Sequence, residues 1–246
     1  MYVGCQYFGT SKHELQFMTR HGVTHMDTRI DCDDLDLMLK LRDEAAAEGV
    51  ELEMAHIPIA ESITLAEDPQ RDKDLDAICR WIENAAKAGI RGLNYNFSVV
   101  GYQRTEPRYG RGGSQFSSFE SSKYNNDEPH KGGQVDRDEI FARASYFLER
   151  VIPVAEANKV QMASHLPDPP VPVMRGEVRW NYPVYDGLKR FSELVDSPYH
   201  GFNFCCGVAA EGLDNPAEEL PPIVEYFSEK KKIFNVHFRN IRGGLN

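Results

Sequence analysis

The chain is 246 residues long, 41% hydrophobic and 27% charged, with a formal net charge of −10, room for one large or two small soluble domains. This acidity excludes nucleic acid as the main partner, because phosphate contacts need clustered Lys and Arg, and no apolar run approaches the roughly 20 residues of a membrane span. Cys5, Cys32, Cys79, Cys205 and Cys206 are too scattered for a disulfide framework, and Met1-Tyr2-Val3-Gly4-Cys5 lacks a signal-type pattern, so a cytoplasmic protein is expected.

A short strand is predicted at 2–6. Ser11 is then an N-cap with Glu14 at the capping-box position, opening the first helix. A strand at 23–27 follows, and then Leu35, Met38, Leu39, Ala45 and Ala46 recur at helical spacing. The strand at 51–56 ends in His56. Leu75, Ile78, Ile82, Ala85 and Ala86 mark another helix before a strand at 90–96. A segment rich in Gly, Ser, Asn, Arg and Tyr runs from about Ser98 to Gln134. It is long enough to be a lid or a surface loop, and its glycines lack the Gly-Lys-Ser/Thr ending of a P-loop. Ile140, Phe141, Ala144, Phe147, Leu148 and Val151 form the next helical stripe, with Pro153 expected to kink or shorten it. Strands at 160–165, 201–205 and 233–237 complete the pattern. One junction recurs at Gly22-Val23, Gly49-Val50, Gly89-Ile90 and Asn158-Lys159-Val160: Gly or Asn accepts the left-handed conformation that stops a helix, and a β-branched residue leads into a strand.

Strands alternating with helices imply parallel pairing. The expectation is one α/β domain over 1–246, a (β/α)8 TIM barrel with the 98–134 loop after strand four. Seven strands leave it one βα unit short, and that last unit is expected to lie outside the sequence.

His165, Cys205 and His237 each end an apolar run: Val160 to His165, Phe202 to Cys205, and Ile233 to His237. Imidazole nitrogen and thiolate are good ligands for borderline divalent metals. On neighbouring parallel strands they would reach one mouth, where α/β barrels do chemistry. Taken alone, His165 could equally precede a plain proline-rich turn, Leu166-Pro167-Asp168-Pro169-Pro170, which would hold His165 and Asp168 stiffly. Alternation puts Asn235, His237 and Arg239 on one strand face, where Arg239 suits a carboxylate. Asn94 and Asn96 end strand four and could hydrogen-bond a polyol; His56 could face substrate or support the site. Asn181 and Tyr182 have nothing to anchor them.

In these residues the chain resembles the mannonate dehydratase family, among the xylose-isomerase-like barrels. Phe147 to Glu156 leads into His165 to Pro170. Gly201-Phe202-Asn203-Phe204-Cys205-Cys206-Gly207 and Val236-His237-Phe238-Arg239-Asn240 follow in the family's order, and Gly89-Ile90-Arg91 leading to Tyr95-Asn96-Phe97 looks like its strand four. The resemblance implies a manganese or iron(II) site with His165, Cys205 and His237 as ligands. Leu166-Pro167 stands where the family has Pro-Asp, which bears on substrate identity. The family's fourth ligand, an Asp on strand eight, and a Pro-Asp-His segment with a catalytic histidine would fall beyond Asn246.

The implied activity is dehydration of a sugar acid such as D-mannonate to a 2-keto-3-deoxy acid. On this reading Arg239 holds the carboxylate and shares the catalytic site with Asp168, Asn96 and His56 contact substrate, and the 98–134 loop excludes water. A homo-oligomer is expected. A sugar isomerase or epimerase on the same barrel, and a non-catalytic sugar-acid-binding protein, are the alternatives.

Overall fold

The computed structural model describes residues 2–6 and 9–245. Seven strands form one sheet in chain order, every pairing parallel: β1 (Gly4–Gln6), β2 (His25–Arg29), β3 (Glu51–His56), β4 (Gly92–Asn96), β5 (Gln161–His165), β6 (His200–Cys205) and β7 (Ile233–His237). The helices are α1 (Lys12–Arg20), α2 (Leu35–Ala47), α3 (Glu61–Leu65), α4 (Gln70–Ala88), α5 (Arg137–Asn158), α6 (Val184–Ser192), α7 (Cys206–Glu211) and α8 (Pro216–Glu229). The α/β class is as expected. The full eight-unit barrel is not reached: among the described residues the sheet is curled but open, with β1 and β7 at its edges.

The recurring junctions explain why the strands begin where they do. The N–H groups of Val23, Val50, Ile90 and Val160 donate to Met18, Ala45, Ala85 and Ala155, closing α1, α2, α4 and α5 at 2.9–3.1 Å. This is the Schellman bond, which satisfies a helix-end carbonyl. Val23 and Ile90 therefore belong to the helix caps, and β2 and β4 start two residues later than predicted. Gly22, Gly49 and Gly89 take the left-handed conformation, but at the fourth junction Lys159 does so (φ 58°) rather than Asn158. Asn158 instead donates its side chain to the Val154 carbonyl. The capping box of Ser11 and Glu14 forms as predicted.

Pro153 does not shorten α5, which runs on to Asn158. The buried stripe Ile140, Ala144, Phe147, Leu148 and Val151 holds it against α4 and the sheet. Each of the large side chains, Ile140, Phe147, Leu148 and Val151, contributes about 1.5–3 kcal/mol, together enough to outweigh one missing hydrogen bond. Tyr95 and Phe97 pack on Phe147, with ring centroids 5.3 and 5.5 Å apart. The β4 residues between Gly92 and Asn96 thus alternate: Leu93 and Tyr95 face the helices, while Asn94 and Asn96 face the concave side with His165 across the register.

The 98–134 segment contains a small hairpin, Arg108–Tyr109 against Gln115–Phe116, and two short 3-10 turns. Its start is pinned by a second hairpin that sequence reading passes over, Val173–Met174 against Glu177–Val178. Glu177 accepts the backbone N–H groups of Val99 and Val100 at 3.1 and 2.9 Å. Arg179, wholly buried like Glu177, pairs with it at 3.0 Å and donates to the Gly101 carbonyl. Trp180 Nε1 donates to Phe97 O, and the unassigned Asn181 donates to Pro167 O.

Candidate metal centre

The concave face is polar, and its C-terminal rim gathers the chemistry. His165 ends β5, Cys205 ends β6 and His237 ends β7; register pairs Asn203 with His165 and Cys205 with His237. One ligand atom from each of His165, Cys205 and His237 lies within 4.8 Å of the others, and the two imidazole centroids are 5.0 Å apart. The three residues that sequence reading proposed as ligands are therefore brought together.

The environment suits a cation that arrives with its ligands deprotonated. Burial, with a contribution from His237, holds His165 down to about 3. Burial, then His56 and Arg239, brings His237 to about 4. Both rings are neutral at neutral pH, as metal ligands must be. Burial pushes the Cys205 thiol up, while Arg239 and the amides of Val208 and Gly207 oppose it. Those amides belong to the first turn of α7, so the fold already directs donors at the sulfur. The donor set and its close spacing fit a borderline divalent metal.

Around the triad runs an ionic network. Arg104, from the long loop, grips both oxygens of Asp168 at 2.7 and 2.6 Å. Arg239 donates to Asp168 at 2.8 Å and to Glu211, at the end of α7, at 2.5 Å. Burial works to raise the Asp168 carboxyl, but the bonds and charge of Arg104, joined by Arg239, hold it below the usual range. Burial, reinforced by Asp168, pushes Glu211 up. Asp168 is therefore an ionised carboxylate gripped by two guanidiniums, and Arg239 is oriented by two carboxylates.

The remaining sequence candidates line the same concavity. Asn96 is exposed at the end of β4. His56, at the end of β3, has a buried Nδ1 without a partner among the described residues and is brought to about 4 by burial and Arg29. His56, Arg29, Ile30, Asp31 and Pro58 line a cavity of about 450 Å³. Asn94 is buried and donates to Asp27 at 2.8 Å. Sequence reading missed Asp27, Arg104, Asn203 and Glu211. For Asp27 a signal existed: His25, Asp27 and Arg29 alternate with Met26 and Thr28, so a polar strand face was legible. A second set of potential ligands, His25, Glu51 and Glu53, lies near the other end of β2 and β3. There the Arg91 guanidinium, 3.2 Å from Glu51, already supplies the positive charge.

A curled parallel sheet with two imidazoles and a thiol converging at its C-terminal rim defines an α/β half-barrel with a candidate metal centre. Comparison with known proteins narrows this. The sequence profile of D-mannonate dehydratase (UxuA) matches residues 23–132 and 129–246, and the chain belongs to that family. It is 28% identical over 247 residues to a mannonate dehydratase of Thermotoga petrophila, covering 85% of this chain and 66% of that protein. A mannonate dehydratase of Shouchella clausii is 30% identical over 224 residues, covering 76% of this chain and 61% of that protein. The chain thus spans a little under two thirds of the length of these relatives. The crystal structure of mannonate dehydratase from Streptococcus suis serotype 2 superposes with a TM-score of 0.87 at 24% identity, over 99% of this chain and 74% of that one. A D-tagatose 3-epimerase-like protein shares the fold more distantly, with a TM-score of 0.61 at 16% identity, over 99% of this chain and 78% of that one.

Proposed function

We propose that this chain carries the metal-binding rim of a sugar-acid dehydratase that converts a D-mannonate-like aldonate into a 2-keto-3-deoxy acid. The observation that carries the reading is the convergence of His165, Cys205 and His237 within a member of this family. These residues would hold Mn2+ or Fe2+, which when bound stabilises the negative charge that builds as the C2 proton leaves. The C2 proton is removed and the C3 hydroxyl departs as water, leaving an enol that becomes the 2-keto group.

The protein's own groups divide the remaining work. Arg239 presents a guanidinium to the substrate carboxylate, aimed by Asp168 and Glu211. Asp168, gripped by both arginines, ties the long loop to the rim through Arg104. Asn96, exposed at the end of β4, and His56, which lines the adjoining cavity, contact substrate hydroxyls. The 98–134 loop, held at both Asp168 and Glu177, excludes water. We read residues 1–246 as one domain of an eight-unit barrel in a cytoplasmic homo-oligomer, without nucleic-acid or membrane partners.

Loading the native protein with Mn2+ or Fe2+ and supplying D-mannonate tests this, with product read as 2-keto-3-deoxy acid. Cys205→Ala and His237→Ala are expected to abolish bound metal and turnover. Unchanged metal occupancy in both variants defeats the assignment.

A further inference from the structure

We propose that Asn203 selects Nδ1 of His237 as the metal-binding nitrogen, by receiving the ring's Nε2–H on its side-chain oxygen. This rests on the reading that His165, Cys205 and His237 hold a metal.

The two histidines are held differently. His165 Nδ1 lies 2.8 Å from the Leu166 carbonyl. A carbonyl only accepts, so Nδ1 carries the proton and Nε2 keeps the lone pair. His237 instead meets an amide: its Nε2 is 3.0 Å from Asn203 Nδ2, and Asn203 Oδ1 receives Asn235 Nδ2 at 3.3 Å. With the amino end turned to the ring, Nε2 is an acceptor and the ring proton sits on Nδ1. Neither nitrogen then has a lone pair to offer a cation.

A half-turn of Asn203 about its Cβ–Cγ bond exchanges oxygen and nitrogen in place. The oxygen then accepts Nε2–H. The Asn203 amino group donates to the Asn235 oxygen once that amide makes the same half-turn. Both contacts survive with donor and acceptor reversed, and Nδ1 is freed for the metal. Asn203 is fully buried between β5 and β7, level with His165 and Asn235 in the register. A metal-ligating imidazole is commonly oriented in this way by an acceptor on its other nitrogen. Asn203 is a positioning residue, acting through His237.

The test uses the 15N-labelled chain with Zn2+ as a diamagnetic probe. Long-range 1H–15N correlation spectra should show His165 ligated through Nε2, and His237 ligated through Nδ1 with Nε2 protonated. Asn203→Leu, which removes the acceptor, should weaken Zn2+ binding about 10–100-fold in chelator competition. Asn203→Asp, which can only accept, should restore affinity to within a few-fold of wild type. Ligation of His237 through Nε2 in the wild-type chain overturns the proposal, as does an Asn203→Asp variant as weak as a folded Asn203→Leu. A folded wild-type chain that takes up no Zn2+ sinks the metal reading itself, and this assignment with it.

Discussion

Asp27 sits beneath the rim as a buried carboxylate with half of its hydrogen-bonding capacity idle. It is 5% exposed; Oδ2 accepts from Asn94 at 2.8 Å, while Oδ1 has no partner among the described residues. Burial pushes it up from 3.8 to about 6, against the Asn94 hydrogen bond. A tenfold change in proton affinity corresponds to about 1.4 kcal/mol, so this difference amounts to about 3 kcal/mol of lost stability when the group is ionised in the fold. The sign follows from the folded value lying above the unfolded one. Below about pH 4 Asp27 is protonated in both states and the penalty is absent. Between about 4 and 6 the unfolded chain ionises first and stability falls, and above about 6 the full penalty applies. Asn at this position keeps an oxygen for Asn94 and carries no charge. Asp27→Asn is therefore expected to be more stable than wild type at pH 7 to 8, by about 3 kcal/mol beyond any difference measured at pH 4. Urea unfolding of both metal-free proteins across pH 4 to 8 measures this directly. A stability difference that stays flat across that range refutes the argument, because an unpaired buried carboxylate must leave a pH signature.

The other predictions concern the network and the loop. Asp168→Asn leaves Arg104 and Arg239 facing each other with Glu211 as the remaining carboxylate. Removing one partner of a buried pair costs about 3–5 kcal/mol, and the partial exposure of Arg239 reduces this to about 2–4. Because the folded value of Asp168 is depressed, its stabilisation is full at neutral pH and is lost only as pH falls below the ordinary carboxylate range. The gap between wild type and Asp168→Asn should accordingly close on acidification, as denaturant titrations will show. Glu177→Gln strands the wholly buried Arg179 and removes the carboxylate that accepts the Val99 and Val100 amides; a loss of about 3–5 kcal/mol is expected. Limited proteolysis should then cut earlier between residues 98 and 134. Cys205→Ser, which exchanges a thiolate for a poor ligand, should lower bound metal in elemental analysis while leaving the circular dichroism spectrum unchanged.

The barrel-like order was legible because it rests on local chemistry. Gly22, Gly49 and Gly89 stop helices whatever the tertiary context, and the following Val or Ile closes the cap. His165, Cys205 and His237 could be read as one group because a strand's end is visible in sequence, and parallel neighbours bring like ends together. α8 has no counterpart in the sequence reading; it carries Pro216, Pro221 and Pro222, yet Ile223 and Phe227 bury against the sheet and hold it helical. The hairpin around Glu177 was equally invisible: two residues per strand carry no periodicity, and its anchor, the 0%-exposed Glu177–Arg179 pair, forms only with the backbone of residues 99–101.

Sequence alone determined that His165, Cys205 and His237 end neighbouring strands, since strand position is set by periodicity and caps within a few residues. Only the tertiary structure decided how they are committed. Arg104 and Asp168 are 64 positions apart, and Asn203 and His237 are 34 apart. Such pairings depend on which loop crosses the rim and on the stagger between strands. Neither leaves a trace in local pattern, because hydrogen bonds and ion pairs act over about 3 Å of space at any separation along the chain.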